Sequence, residues 1–387
     1  MTTSDDTRRL VTLAATLHEL KRYAEAAACW EKALALEPGN ANVHNNLGVS
    51  LAALNRDAEA IACHEAALAI DPNYPEAEFN RSLGLLRSGN FRAGWSAYEK
   101  RWQAKVGIGT GHVDRPLWLG REPIAGRKLL VEFEQGFGDA IQALRYVPLL
   151  EGLGAQCWIH ALASLLSLVQ RSFPRSTVIA RNWWPHEIEL RIPVMSLPLA
   201  MQTFAESDIP RVVPYLVADE GRKAHWAALL ADPGRPRVGL AWRGNPGHRN
   251  ERNRSARLED LVPLLSRTDV RFVTLQKDLS AAERKILAAH PNVTVLDAEL
   301  ETFDDTAAVA CNLEAVVSVD SSPAHLAGAL GRPVWVMLPC SPEWRWGLER
   351  SDSPWYPQAR LFRQAAPGDW NSVIDAVDGA LAALRAG

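Results

Sequence analysis

At 387 residues the chain has room for about two or three domains. Its 47% hydrophobic content is that of an ordinary globular protein, and a formal net charge of −3 gives no general attraction to nucleic acid or an anionic membrane. The five cysteines, at 29, 63, 157, 311 and 340, show no CxxC or CxxH spacing, which argues against zinc and for the reduced thiols of a cytoplasmic protein. The leading MTTSDDTRRL lacks the apolar core of a signal peptide, and no run approaches the ~18 apolar residues of a membrane span.

A 34-residue period organises the first hundred residues, with frames starting at Thr7, Ala41 and Pro75. Position 20 is small each time (Ala26, Ala60, Gly94), position 24 is Trp30, His64 and Tyr98, and position 32 is Pro38 and then Pro72. Small residues at fixed spacing let paired helices approach, and the prolines end the second helix of each pair. The pattern resembles the tetratricopeptide repeat. The third frame departs from it with Arg81 at position 7, Arg101 at position 27 and no proline at position 32. Such an array offers either a concave groove for a partner or a brace. Asn45, Asn46 and Asn80 fall where an inner face would grip an extended backbone, and a solvated face is the alternative reading.

Glycine-rich Val106–His112 reads as a linker. Beyond it, apolar strands are expected at Lys128–Glu134, Gln156–His160 and Thr177–Ile179, with helices at Ala140–Leu150 and Leu162–Arg171. An exposed Asn182-Trp183-Trp184, the segment Glu189–Ile192, the MSLPLAMQTF stretch and Pro214-Tyr215-Leu216 follow. Strands alternating with helices argue a parallel sheet. Between the first strand and its helix lies Gln135-Gly136-Phe137-Gly138-Asp139. Glycines there permit a tight turn and close ligand approach, but the GxGxxG spacing of a dinucleotide site is missing. Asp139 is either an acid favourable at a helix start or a carboxylate placed to take a proton from an acceptor hydroxyl. Glu132 and Glu134 compete for that second role.

Pro233-Gly234-Arg235-Pro236 reads as a hinge. Strand Val238–Trp242 then runs into Arg243–Ser255, a loop with four Arg and one His against one Glu. It is either a solvated loop or a clamp on a diphosphate, which a forked guanidinium suits. Helix Leu258–Leu265, strand Arg271–Leu275 ending in Gln276-Lys277, helix Ala281–His290 and strand Val293–Leu296 come next. Ala315–Val319 is an apolar run ending in Asp320, Ser321, Ser322 and Pro323; Ser followed by Pro signals a helix start. That helix carries His325 and is followed by strand Val334–Leu338. A polar turn between a parallel strand and a helix amino terminus is suited to an anion, most often a phosphate. Indoles at Trp344, Trp346 and Trp355 either stack on a base or sugar or cover the core end. Strand Arg360–Phe362 and helix Trp370–Leu384 close the chain.

The stretches QGFGDAIQALRYVPLL (135–150), GLAWRGNPGHRNERNRS (239–255), VTLQK (273–277), VDSSPAHLAGALGRPVWVML (319–338) and WRWGLERSDSPWYPQARLF (344–362) resemble family 9 glycosyltransferases of the heptosyltransferase kind. More closely, they look like bacterial proteins that join tetratricopeptide repeats to such a domain. The layout also resembles, more loosely, the O-linked N-acetylglucosamine transferases. The resemblance implies an α + α/β chain: repeats over 7–108, then a GT-B pair with an acceptor-side Rossmann-like half over 109–232 and a donor-side half over 233–387.

By the same resemblance, Asp139 matches the family's candidate base, beside an acceptor-side loop of Gln135, Gly136 and Gly138. The donor set is Arg243, Arg254, Gln276, Lys277, Asp320, Ser321, Ser322, His325 and Trp344. Arg254 stands near a family lysine, and Ser321 stands where threonine is common, so charge or hydroxyl is kept while residue type is not. No DxD motif is visible, in keeping with metal-independent chemistry and no cofactor beyond a nucleotide-diphosphate sugar substrate. The implied function is sugar transfer to a protein or glycan acceptor recruited by the repeats. The alternative is a repeat scaffold whose transferase part has lost turnover.

Overall fold

The computed structural model describes residues 3–106, 114–180, 186–232, 234–247 and 250–384. Most of the expected linker, Asn182-Trp183-Trp184, Pro233 of the hinge and His248 and Arg249 of the cationic loop lie outside the described residues. The chain divides into two compact units. One gathers Met1–Ile108, Gln202–Asp208 and Ser341–Glu349, and the other Gly109–Met201, Ile209–Cys340 and Arg350–Gly387.

The first unit is a helical array: α1 (Thr3–Glu19), α2 (Tyr23–Leu36), α3 (Ala41–Ala53), α4 (Asp57–Ile70), α5 (Pro75–Arg87) and α6 (Phe91–Tyr98). α3 and α5 begin on the second and third frames of the period. Asn40 caps α3 by accepting from the Val43 N–H at 3.2 Å. Ala26, Trp30, Ala33, Leu47, Leu51 and Ala60 share one buried cluster, so the small positions are where helices meet. The third repeat shows why its pattern drifts. Arg101 takes the place of Ala33 and Ala67 but is still fully buried, ion-paired to Glu99 at 2.8 Å. α6 stops at Tyr98, and a 3₁₀ turn, Glu99–Trp102, carries the chain on.

The second unit holds two parallel sheets. Its first half runs β1 (Lys128–Glu132), α7 (Phe137–Ala143), α8 (Val147–Gly152), β2 (Gln156–Ala161), α9 (Leu166–Ser172), β3 (Thr177–Ala180), β4 (Leu190–Pro193) and α10 (Leu197–Ala200), with sheet order β3-β2-β1-β4. After α11 (Glu220–Leu229), the second half runs β5 (Arg237–Ala241), α12 (Glu251–Arg254), α13 (Val262–Leu265), β6 (Arg271–Thr274), α14 (Ala281–Ala288), β7 (Val293–Thr294), α15 (Phe303–Ala310), β8 (Ala315–Val319), α16 (Ser322–Ala329), β9 (Val334–Leu338), β10 (Ala359–Arg363) and α17 (Trp370–Leu381). Its order is β10-β9-β8-β5-β6-β7. Every residue of β8 and β9 is buried, as continuous apolar runs in a sheet covered on both faces should be. Each sheet with its flanking helices forms a Rossmann-like half.

Three expected helices are broken: Leu162–Arg171 becomes a 3₁₀ turn over Ala163–Leu165 followed by α9, and two others break at prolines. Ala140–Leu150 becomes α7, a 3₁₀ turn over Leu144–Tyr146 and α8, because Pro148 has no N–H to continue the ladder. Leu258–Leu265 becomes a 3₁₀ turn and α13 around Pro263 for the same reason. β1 ends at Glu132, two residues short of expectation. Among the described residues no helix is long and apolar enough to cross a membrane.

Candidate active site

β8 delivers Asp320 and Ser321 to the amino end of α16. Ser321, in extended backbone (φ −149°, ψ 171°), is the N-cap, and Pro323 lies inside the first turn, one place later than a Ser322 cap would put it. The Ser321 hydroxyl leaves the helix end uncapped; its Oγ lies 3.1 Å from Ser318 Oγ. Ser322 is half-buried. His325 is 1% exposed, with Nδ1 2.8 Å from the Tyr356 hydroxyl and Nε2 3.4 Å from Asp320 Oδ1.

The glycine turn after β1 meets this helix. A Cβ added to Gly138 would stand 2.7 Å from His325 Cδ2 and 3.1 Å from its Nε2. Only glycine lets the ring edge lie against that backbone. Gly136 is the N-cap of α7, Gln135 is half-buried beside it, and Asp139 lies in the first helical turn. The Asp139 carboxylate folds back over Gly136, Oδ2 3.6 Å from where its Cβ would be. Asp139 thus follows directly on the residue that touches His325. Its two competitors are engaged elsewhere. Glu134 accepts the Met195 N–H at 2.8 Å, and buried Glu132 pairs with Arg191 at 3.0 Å. Burial pushes the Glu132 carboxyl up, and the Arg191 charge opposes this.

The cationic loop is held by Gln276, by Glu283 of α14 and by its own Glu251. Gln276 Oε1 accepts the N–H groups of Trp242 and Arg243 at 3.2 and 3.1 Å. Trp242 Nε1 and Arg243 Nε both donate to Glu283, at 2.9 and 3.1 Å. Burial alone would raise the Glu283 carboxyl, but these bonds and those from Ser280 hold it down to about 2. Arg254 Nε donates to Glu251 at 2.8 Å, and Lys277 Nζ donates to the Glu301 carbonyl at 3.1 Å. Expected as open donor contacts, Arg243 and Gln276 are instead builders of the loop, and the charge of Arg254 is matched by Glu251. Trp344 is a further correction. It belongs to the repeat unit, is buried, and meets Trp95 edge-to-face with centroids 5.0 Å apart, so its ring offers no face to a base. In that unit Asn80 donates to Asn45 Oδ1 at 3.0 Å and Asn46 to Asn42 Oδ1 at 2.8 Å, so the asparagines also bond to one another.

Sequence reasoning missed Arg145, Tyr215 and Tyr356. Tyr356 packs on α16, its ring 2.3 Å from where a Gly328 Cβ would be. Arg145 is buried, donates to the Trp355 carbonyl and to Tyr215 Oη (3.3 Å), and lies 4.8 Å above the Tyr356 ring. The available signal was a charged residue four places from Ile141, on an apolar helix stripe, and a helical glycine with no turn to make.

Residues 257–367 match the family model for glycosyltransferase family 9 (heptosyltransferase), a span that runs from before β6 to beyond β10 and includes Lys277, Asp320–His325 and Tyr356. Residues 15–55 match a TPR repeat and 41–74 a tetratricopeptide repeat. The chain joins tetratricopeptide repeats to a family 9 glycosyltransferase domain. Protein FlbA of Caulobacter vibrioides is 26% identical over 443 aligned positions, covering 97% of this chain and 73% of that protein. The E. coli ADP-heptose lps heptosyltransferase II structure superposes at TM-score 0.49 and 17% identity, over 66% of this chain and 98% of that one. A Thermobaculum terrenum O-GlcNAc transferase mutant superposes at TM-score 0.33 and 15% identity, over 98% of this chain and 85% of that one.

Proposed function

We propose that the protein moves a sugar from a nucleotide-diphosphate sugar to a hydroxyl of a protein or glycan acceptor, without a resident metal. The donor diphosphate sits at the start of α16, taking bonds from the backbone around Ser322 and from His325, with Lys277 at the rim. The helix end favours such an anion by about 0.3–1 kcal/mol and lends more where water is excluded. Asp139 takes the acceptor proton as the acceptor oxygen bonds to the sugar carbon. The bond from that carbon to the diphosphate oxygen breaks, and the leaving nucleoside diphosphate carries away the electron pair. The observation that carries this reading is the contact of Gly138 with His325, which sets the candidate base beside the candidate phosphate contact. In the same reading the repeats recruit the acceptor and the protein works in the cytoplasm, a setting that the five free thiols fit.

The test is transfer from a panel of labelled nucleotide sugars, with intact and Asp139→Asn chains. A general base contributes about 10²–10⁴-fold, so Asp139→Asn should lose transfer by that factor while still binding nucleoside diphosphate. Wild-type transfer by Asp139→Asn would overturn the assignment. One observation favours a non-catalytic scaffold: Arg243 and Arg254 are tied to Glu283 and Glu251 rather than left for a phosphate. That reading requires no transfer from any donor in the same panel.

A further inference from the structure

We propose that Tyr356, clamped by Arg145, is a positioning residue that fixes the proton of His325 on Nε2, the ring edge that faces the start of α16. The proposal rests on the reading of His325 as a phosphate contact. Asp320 Oδ1, 3.4 Å from Nε2, is an acceptor only, so the proton of a neutral ring belongs on Nε2. Nδ1 is then an acceptor, and the Tyr356 hydroxyl at 2.8 Å must donate to it.

Arg145 fixes the phenol. Its guanidinium lies 4.8 Å over the Tyr356 ring and donates to the carbonyl of Trp355, the preceding residue. It also donates to Tyr215, whose own hydroxyl donates to the Ile141 carbonyl at 3.1 Å. A cation on the ring makes the hydroxyl a better donor. The stretch 137–146 therefore carries both Asp139, the candidate base, and Arg145, which through Tyr356 orients the candidate phosphate contact. A shift of this stretch would move both groups together. A surface histidine would have neither tautomer enforced.

The experiment is nitrogen-15 NMR of the ten histidines in the intact chain, with His325→Gln to assign the signal. Wild type should show Nδ1 bare and Nε2 protonated. Tyr356→Phe keeps the ring over Gly328 but removes the donor, and should give a mixture of tautomers. ADP, UDP, GDP or CDP binding should weaken about tenfold, with KM rising more than kcat falls. Arg145→Lys, which keeps charge but loses the fork, should move both readouts in the same direction. It carries the test if Tyr356→Phe does not fold. An unchanged His325 tautomer in the folded variant overturns the proposal. If wild type binds none of these nucleotides yet the tautomer still moves, the positioning role stands and the donor reading fails.

Discussion

Gly138→Ala is the sharpest perturbation of the site. Gly138 sits in the ordinary helical backbone of α7, so alanine there should gain up to about 0.5–1 kcal/mol from helix preference alone. Against this, the new Cβ would stand 2.7 Å from His325 Cδ2, inside any real contact distance. The ring cannot give way freely: it is 1% exposed and bonded to Tyr356 at 2.8 Å. Overpacking costs about 1–3 kcal/mol and the strained hydrogen bond about 1 more, so net destabilisation of about 1–3 kcal/mol is expected. In a unit of this size that lowers the melting temperature by roughly 2–4 °C per kcal/mol. Nucleoside diphosphate affinity should fall with it, because the displaced group is the proposed phosphate contact. Scanning calorimetry and isothermal titration measure the two effects on one sample. A raised melting temperature with undiminished affinity would show that only helix preference acts, and would refute the Gly138–His325 contact as an element of the site.

His64 should give the repeats a pH dependence. Burial, then the charge of Arg81, holds its pKa down to about 4 from an ordinary 6.5, so the unfolded chain binds the proton first. Stability is therefore full above pH 6.5 and is lost as pH falls toward 4; His64→Gln should flatten that slope in helical circular dichroism melts, and an unchanged slope would contradict it. Trp344→Ala should cost about 3–5 kcal/mol, as removal of a buried indole does, and leave nucleotide affinity unchanged. Lost affinity with unchanged melting would restore Trp344 to the donor site.

Much of the architecture was legible because it is local. Ala315–Val319 and Val334–Leu338 are apolar runs that became β8 and β9 residue for residue. The frames at Ala41 and Pro75 became helix starts because position and proline chemistry act within a few residues. The breaks at Pro148 and Pro263 were legible too, and were passed over in favour of the apolar pattern around them. What sequence reading missed is non-local. Arg243 looked like an open cation because nothing adjacent shows that Glu283, forty residues away, turns inward to it. Arg145 shows in the sequence only as a charge on an apolar helix stripe. Its role depends on Trp355 and Tyr356, about two hundred positions later, which become its neighbours only when the chain is folded.

The central claim is that α16 opens on a diphosphate. Isothermal titration of the intact chain with ADP, UDP, GDP and CDP, repeated with His325→Ala, tests it most directly. At least one nucleotide should bind saturably, and His325→Ala should weaken it by tenfold or more, the value of about one charge-assisted hydrogen bond. Binding of none of the four, or binding that His325→Ala leaves unchanged, would contradict the account.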